Sequence, residues 1–258
     1  MERILFCSLF VAALSFMSFA NKGNYKNRPI IHNHFTESLG DGIVVLELFT
    51  SQGCSSCPPA DVLLEMVNRE YAANVFALSY HVDYWNYIGW KDPFSNPSFT
   101  KKQTEYNLKL KSRTNYTPQL VINAKEHLVG SDRNKVLGRI HQYSKIPAKH
   151  LIDLSGSKNG TEIVFEYGIS GNLKDVKLRA VLVINERTTQ VKRGENRNRI
   201  LKNSNIVVAE KLIPASLSKG TGSITIPEMV TKDDHLTLIL LAENEDLGIT
   251  GASKIGID

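Results

Sequence analysis

Apolar positions along the chain change their spacing several times, and each change marks a boundary. Met1-Glu2-Arg3 is followed by an almost wholly apolar run from Ile4 to Phe19, which ends in Ser18-Phe19-Ala20 before the polar Asn21. The run is shorter than the roughly 20 apolar residues a membrane span needs, is broken by serines, and closes on a small-x-small step. Residues 1–20 therefore read as a secretory signal peptide rather than an anchor. Residues 21–41 are polar without period, the pattern of a flexible leader. Ile43-Val44-Val45-Leu46-Glu47-Leu48-Phe49 is apolar but for Glu47 and rich in β-branched types, as in a strand buried on both faces. Beyond the turn, Ala60, Leu63, Leu64, Val67 and Tyr71 take the spacing of a helix face. Pro58 and Pro59 fit only a first helical turn, so the helix starts at Cys54-Ser55-Ser56-Cys57. Val75 to Tyr80 is a second buried strand, and residues 43–80 predict a parallel βαβ unit.

Farther on, Ser98 to Lys111 predicts a helix with Phe99, Tyr106 and Leu110 inward. Thr117 to Asn123 predicts a strand that begins at a proline, with His127 to Val129 as its hairpin partner. Ser131-Asp132 caps a further helix carrying Val136, Leu137, Ile140 and Tyr143. After Lys145 the pattern changes to strands alone: Ile163 to Tyr167, Val176 to Ile184, Ile206 to Leu212 and Leu236 to Leu241, separated by Gly, Asn and Asp turns. The expected layout is an α/β domain over residues 42–146 followed by an all-β, sandwich-like domain over 147–258.

Composition narrows the function. With 42% hydrophobic and 22% charged residues in 258, the chain fills at least one sizeable core. Its +5 charge comes without the interleaved aromatics of a nucleic-acid groove, so no nucleic-acid partner is expected. Between Arg187 and Asn205, Arg187, Lys192, Arg193, Arg197, Arg199 and Lys202 face a single acid, Glu195. That stretch reads as a solvated edge loop of the sandwich, the alternative being a site for an anionic partner. Three cysteines are too few for a disulfide-stapled miniprotein or a four-thiolate zinc site. Signal cleavage removes Cys7 and leaves Cys54 and Cys57, in a secreted or periplasmic setting where disulfides persist.

That Cys54-x-x-Cys57 pair carries the candidate chemistry. A helix amino terminus stabilises a thiolate, so Cys54 is expected to be the nucleophile and Cys57 the resolving thiol of a disulfide exchange, with Ser55 and Ser56 as hydroxyl donors. A merely structural disulfide is the weaker reading, because a four-residue loop closes little entropy. Half a zinc site is weaker too, because no second CxxC exists. His81 and Asp83 directly follow the second strand, at the edge where open parallel sheets bind ligands, and alternation puts both on one side. Trp85, Trp90 and Phe94 offer either an apolar rim or a core cap.

The chain resembles the thioredoxin superfamily, and more closely an exported branch of it known as domain of unknown function 1223. The residues that carry the likeness run from Glu47 through Thr50-Ser51-Gln52-Gly53-Cys54-Ser55-Ser56-Cys57-Pro58-Pro59-Ala60-Asp61, then His81-Val82-Asp83-Tyr84-Trp85, Trp90-Lys91-Asp92-Pro93-Phe94-Ser95, Tyr116-Thr117-Pro118-Gln119 and Arg193-Gly194-Glu195-Asn196. The resemblance implies a thioredoxin-like α/β domain and export. It also implies that Pro118 is a cis-proline facing the cysteines, with Thr117, Pro118, His81, Asp83 and Trp85 as substrate-binding residues. Gly53 and Ser55-Ser56 depart from thioredoxin itself, so redox poise does not carry over. The expected function is thiol–disulfide exchange on exported polypeptides or with a redox partner protein, without organic cofactor or resident metal. The alternatives are a copper chaperone using Cys54, Cys57 and His81, and a non-catalytic binding module.

Overall fold

The computed structural model describes residues 40–214 and 217–257. The signal peptide and residues 21–39 of the leader lie outside them. All described residues belong to one compact unit.

The βαβ start forms as its pattern requires. Strand β1 (Val44–Thr50), helix α1 (Pro58–Glu70) and strand β2 (Val75–His81) follow one another, and β1 and β2 pair in parallel from Val44–Val75 to Thr50–His81. Helix α2 (Pro97–Lys109) starts at Asn96, whose side chain accepts from the Ser98 N–H. Strands β3 (Gln119–Ile122) and β4 (Glu126–Val129) form the expected hairpin, with β3 antiparallel to β1. Helix α3 (Arg133–Tyr143) is capped by Asp132 through the Lys135 N–H. The remaining strands are β5 (Ile152–Asn159), β6 (Glu162–Ile169), β7 (Val176–Gln190), β8 (Ile200–Pro214), β9 (Lys219–Thr225), β10 (Leu236–Asn244) and β11 (Ile249–Ile257).

The expected fold class, an α/β thioredoxin-like domain followed by an all-β sandwich, is overturned by how these strands pair. One mixed sheet of eight strands runs β11-β10-β7-β8-β2-β1-β3-β4, and a second sheet holds only β5-β6-β9. The junction is β2 against β8, parallel at Ser79–Ile206. Strands from before and after residue 146 thus share one sheet, and with eleven strands to three α-helices among the described residues the protein is mostly β. Periodicity reports which residues a strand buries but not which distant strand it pairs with, so the change of pattern at Lys145 looked like a domain boundary.

Packing follows alternation along the strands. Val44, Leu46 and Leu48 of β1 meet Leu63, Leu64 and Val67 of α1 and Val136 and Ile140 of α3. Val45 and Phe49, on the other face, join Phe99 and Tyr106 of α2 and Val181 and Val183 of β7. The small sheet lays Ile163 and Phe165 on Leu178, Leu182, Leu238 and Leu240.

A buried ionic network joins these parts on the α2 face. Arg179 of β7, 2% exposed, reaches Glu47 of β1 (2.7 Å), the Tyr80 hydroxyl of β2 and Glu210 of β8 (both 2.8 Å), and Glu243 of β10 (2.6 Å). Tyr106 of α2 donates to Glu47 at 2.5 Å, and Lys102 of the same helix pairs with Glu210 at 3.1 Å. Burial would raise the Glu210 carboxyl, but Lys102 and Arg179 outweigh it and hold it at about 2.

Candidate functional site

Thr50 and His81 are register partners at the shared carboxyl ends of β1 and β2, and the cysteines lie immediately beyond. The Cys54 N–H donates to the Ser51 carbonyl, and the Gly53 N–H to the Ser51 hydroxyl at 3.0 Å. Gly53 is fixed by space: a Cβ there would stand 3.1 Å from that of Trp85. Cys57 is the N-cap of α1, and its carbonyl accepts from the N–H groups of Ala60 and Asp61. Pro58 and Pro59 fill the first turn, as their missing donors allow. Cys54 and Cys57 form a disulfide, and both are 0% exposed. The Cys54 Sγ lies 3.3 Å from the Ser56 hydroxyl, whereas Ser55 and Ser56 themselves are exposed.

A loop from the far half of the sequence docks on the backbone of this cysteine turn. Residues 191–199, joining β7 to β8, fold onto the cysteine turn. The buried Asn196 amide donates to the carbonyls of Gln52 and Cys54, each at 2.9 Å. Arg199 in turn donates to the side-chain amide oxygen Oδ1 of Asn196 at 2.8 Å. The Ser55 N–H donates to the Glu195 carboxylate at 2.9 Å, and hydrogen bonds from Ser55 hold that exposed carboxyl below its ordinary value. Gly194, with φ +75°, turns the loop where Trp90 and Ile88 leave no room for a larger side chain. The expected solvated edge loop is therefore a part of the site.

Beneath the disulfide lies a buried acid–base cluster. His81 Nδ1 and Asp92 Oδ2 are 2.7 Å apart, and the same Asp92 oxygen accepts from the Gln52 N–H at 2.7 Å. Gln52 also accepts from the Trp90 indole at 3.2 Å and donates to Asn203 of β8 at 3.0 Å. Burial would push the imidazole down, but the Asp92 charge and hydrogen bond, with Asp61, hold it above its usual value. Asp92 is correspondingly lowered: against burial stand His81 and the N–H groups of Gln52 and Phe94. Asp61, one helical turn past Cys57, is pushed up to about 7 by burial, with His81 opposing. Its Oδ1 has no hydrogen-bond partner, and neither has His81 Nε2. A carboxyl that changes charge near neutrality, one turn from Cys57, is suited to proton transfer in thiol chemistry.

The other sequence-predicted residues take separate places. The Thr117–Pro118 bond is cis, and Pro118 is buried. Thr117 accepts from the Trp85 indole at 2.7 Å, which ties that residue to the segment after β2. Asp83 accepts from the Thr100 hydroxyl of α2 at 2.5 Å, whereas His81 is wholly buried. Phe94 belongs to the core, with its ring 5.2 Å from that of His81. Asp61, Asp92 and Asn196 had no role assigned from sequence. Asp61 interrupts an apolar helix face and is the one of the three with a readable signal. Among the described residues no group of three or more His, Cys, Asp or Glu is placed to hold a metal ion. No helix there is long and apolar enough to cross a membrane. A groove of about 790 Å³ lies on the small sheet, lined by Ser155, Glu162, Glu166 and Lys211, and involves none of these residues.

Comparison with known proteins adds the following. Residues 45–242 match the family model described as "Protein of unknown function (DUF1223)". The crystal structure of protein AGR_C_4864 from Agrobacterium tumefaciens is similar at a TM-score of 0.65 and 28% identity, over 83% of this chain and 94% of that one. A DUF3823 family protein from Bacteroides ovatus aligns over 42% of this chain and 54% of its own, at 17% identity and a TM-score of 0.29. At that score it bears on neither fold nor function. No curated protein matches the chain.

Proposed function

The chain belongs to the DUF1223 family of proteins of unknown function, and we propose that it carries out thiol–disulfide exchange on exported polypeptides through Cys54 and Cys57. The observation that carries this reading is the Cys54–Cys57 disulfide at the amino end of α1, one turn from the buried, partner-poor carboxyl of Asp61. In the exchange a partner thiolate attacks Cys54 Sγ, the Cys54–Cys57 bond breaks, and Cys57 leaves as a thiolate favoured by the helix dipole. Asp61, which titrates near neutrality, supplies the proton to Cys57 and takes it back in the reverse direction. A second thiolate then resolves the mixed disulfide and leaves the partner oxidised and the protein as a dithiol.

Both sulfurs are covered, so exchange requires the 191–199 loop to release the cysteine turn. The soft-metal alternative would use His81 Nε2, the nitrogen that Asp92 leaves free, as a third ligand, but among the described residues no group of three or more His, Cys, Asp or Glu is placed to hold a metal ion.

The test is equilibration of the native protein against glutathione buffers, followed by alkylation of the reduced form at pH 5 to 6. A defined potential reached without unfolding, and Cys54 labelled ahead of Cys57, are expected. A disulfide that resists reduction until the chain unfolds would leave it a structural clasp and favour the binding-module alternative.

A further inference from the structure

The loop that covers the disulfide carries its own charge pattern. Lys192, Arg193 and Arg197 are exposed, and none forms an ion pair among the described residues. Lys91 follows Trp90, whose Cβ lies against Gly194 of the loop and whose indole bonds Gln52; it too is exposed and without a carboxylate partner. Of the other cations of the region, exposed Arg199 bonds the Asn196 side chain, Lys202 pairs with Glu65 and Glu186, and the half-buried Arg187 pairs with Asp234. Lys91, Lys192, Arg193 and Arg197 therefore leave four exposed cations without a side-chain partner on the two segments that dock on the cysteine turn. The one exposed acid among them, Glu195, puts its carboxylate on the Ser55 N–H, between the cysteines in sequence.

We infer that the partner of the Cys54–Cys57 pair is anionic, carrying a carboxylate or similar group beside its reacting sulfur that displaces Glu195 from the Ser55 N–H while Lys91, Lys192, Arg193 and Arg197 hold its charge. The inference rests on the exchange reading above and adds the substrate class. It follows from placement: Glu195 occupies a carboxylate-accepting position that its own loop surrounds with uncompensated positive charge. Displacing it also detaches the loop from the turn, so recognition and uncovering of Cys54 become one event. The overall reaction is balanced. Two partner thiols become one partner disulfide, and the Cys54–Cys57 disulfide becomes two thiols.

Stopped-flow reduction of the native oxidised protein by three small thiols tests it, with rates expressed per thiolate: 2-mercaptoethanesulfonate (anionic), 2-mercaptoethanol (neutral) and cysteamine (cationic). At low salt the anionic thiol should react about tenfold faster than the cationic one, a ratio that collapses toward one at high salt as screening removes the steering. Arg193→Glu with Arg197→Glu should lower or invert the ratio, and Glu195→Gln should raise it a few-fold. A second arm compares cysteine peptides flanked by glutamates or by lysines, and so separates a polypeptide partner from a small acidic thiol; a preference in either arm supports the inference and names the source. Finite exchange without charge preference in both arms at low salt would overturn this inference and leave the exchange reading intact. No exchange with any thiol short of unfolding would overturn both. The wild-type salt dependence needs no variant, so the test survives a charge reversal that fails to fold.

Discussion

Tyr80 and His81 are neighbours on β2, yet alternation sends them to opposite faces and into two different kinds of buried polar cluster. On the α2 face, Tyr80 joins Arg179, Glu47, Glu210 and Glu243, where every acid meets the same guanidinium from a different element and one guanidinium nitrogen, Nη2, keeps an ion contact to Glu243 without a hydrogen bond. On the α1 face, His81 joins Asp92 and Asp61 beside the cysteine turn, where His81 Nε2 and Asp61 Oδ1 have no partner. Unpaired buried polar atoms cost stability, while paired ones specify an arrangement. The first cluster joins distant strands into one sheet. The second keeps acid–base capacity beside the cysteines at the expense of stability, as functional sites do.

Arg179→Met strands Glu47 and Glu243 without a counter-charge. Urea unfolding should show a loss of about 3–5 kcal/mol, the usual cost of removing one partner of a buried ion pair. A loss below about 1 kcal/mol would deny the network its cohesive role.

The clusters should also answer pH with opposite signs. Asp61 titrates at about 7 in the folded chain against an ordinary 3.8, so the native state holds an extra proton between those values. Its contribution is fully present below about pH 4 and is lost as pH rises through 7. His81, raised as well, adds a contribution lost as pH rises through its own folded value. Glu210 is lowered, so its contribution is present above its ordinary value and is lost as pH falls through about 2. Stability of the oxidised protein should therefore fall from about pH 4 to 7, with His81 extending the fall through its own raised value. Asp61→Asn should flatten that slope and stabilise the protein at pH 8 by up to about 4 kcal/mol, the equivalent of the shift at 1.36 kcal/mol per unit. An unchanged slope, measured by urea unfolding across that range, would remove Asp61 from the acid–base cluster.

A smaller effect sharpens the picture of the cover. Asn196→Ala deletes both amide bonds to Gln52 and Cys54 and should cost about 1–2 kcal/mol. Hydrogen exchange at residues 52–57 should quicken, and reduction of the disulfide should speed up even where global stability changes little. If exchange there is unaltered, the loop does not hold the turn.

Much of the local structure was legible in the chain. The continuous run at Val44–Phe49 must be a buried strand, and two prolines after Cys57 can only open a helix, so local sterics and burial alone place the cysteines at a helix mouth. The two helices with good caps at Asn96 and Asp132 are likewise set by nearby residues. Strands such as β5, β9 and β11 escaped notice because they are largely exposed or glycine-rich and lack clean alternation.

Contacts a few residues apart fix the cysteine pair at the amino end of a helix between two buried strands, so these features can be read along the chain. Only the tertiary structure decided that β8 pairs with β2 and merges the strands into one sheet, since pairing is a choice between segments that leave the same pattern. The same long-range pairing brings Glu195 and Asn196 onto Ser55 and Cys54, about 140 residues away, and turns a basic stretch into the lid of the site. It also buries Asp61, His81 and Asp92 together. Their proton affinities come from burial and from one another's charge, which no spacing in the chain encodes.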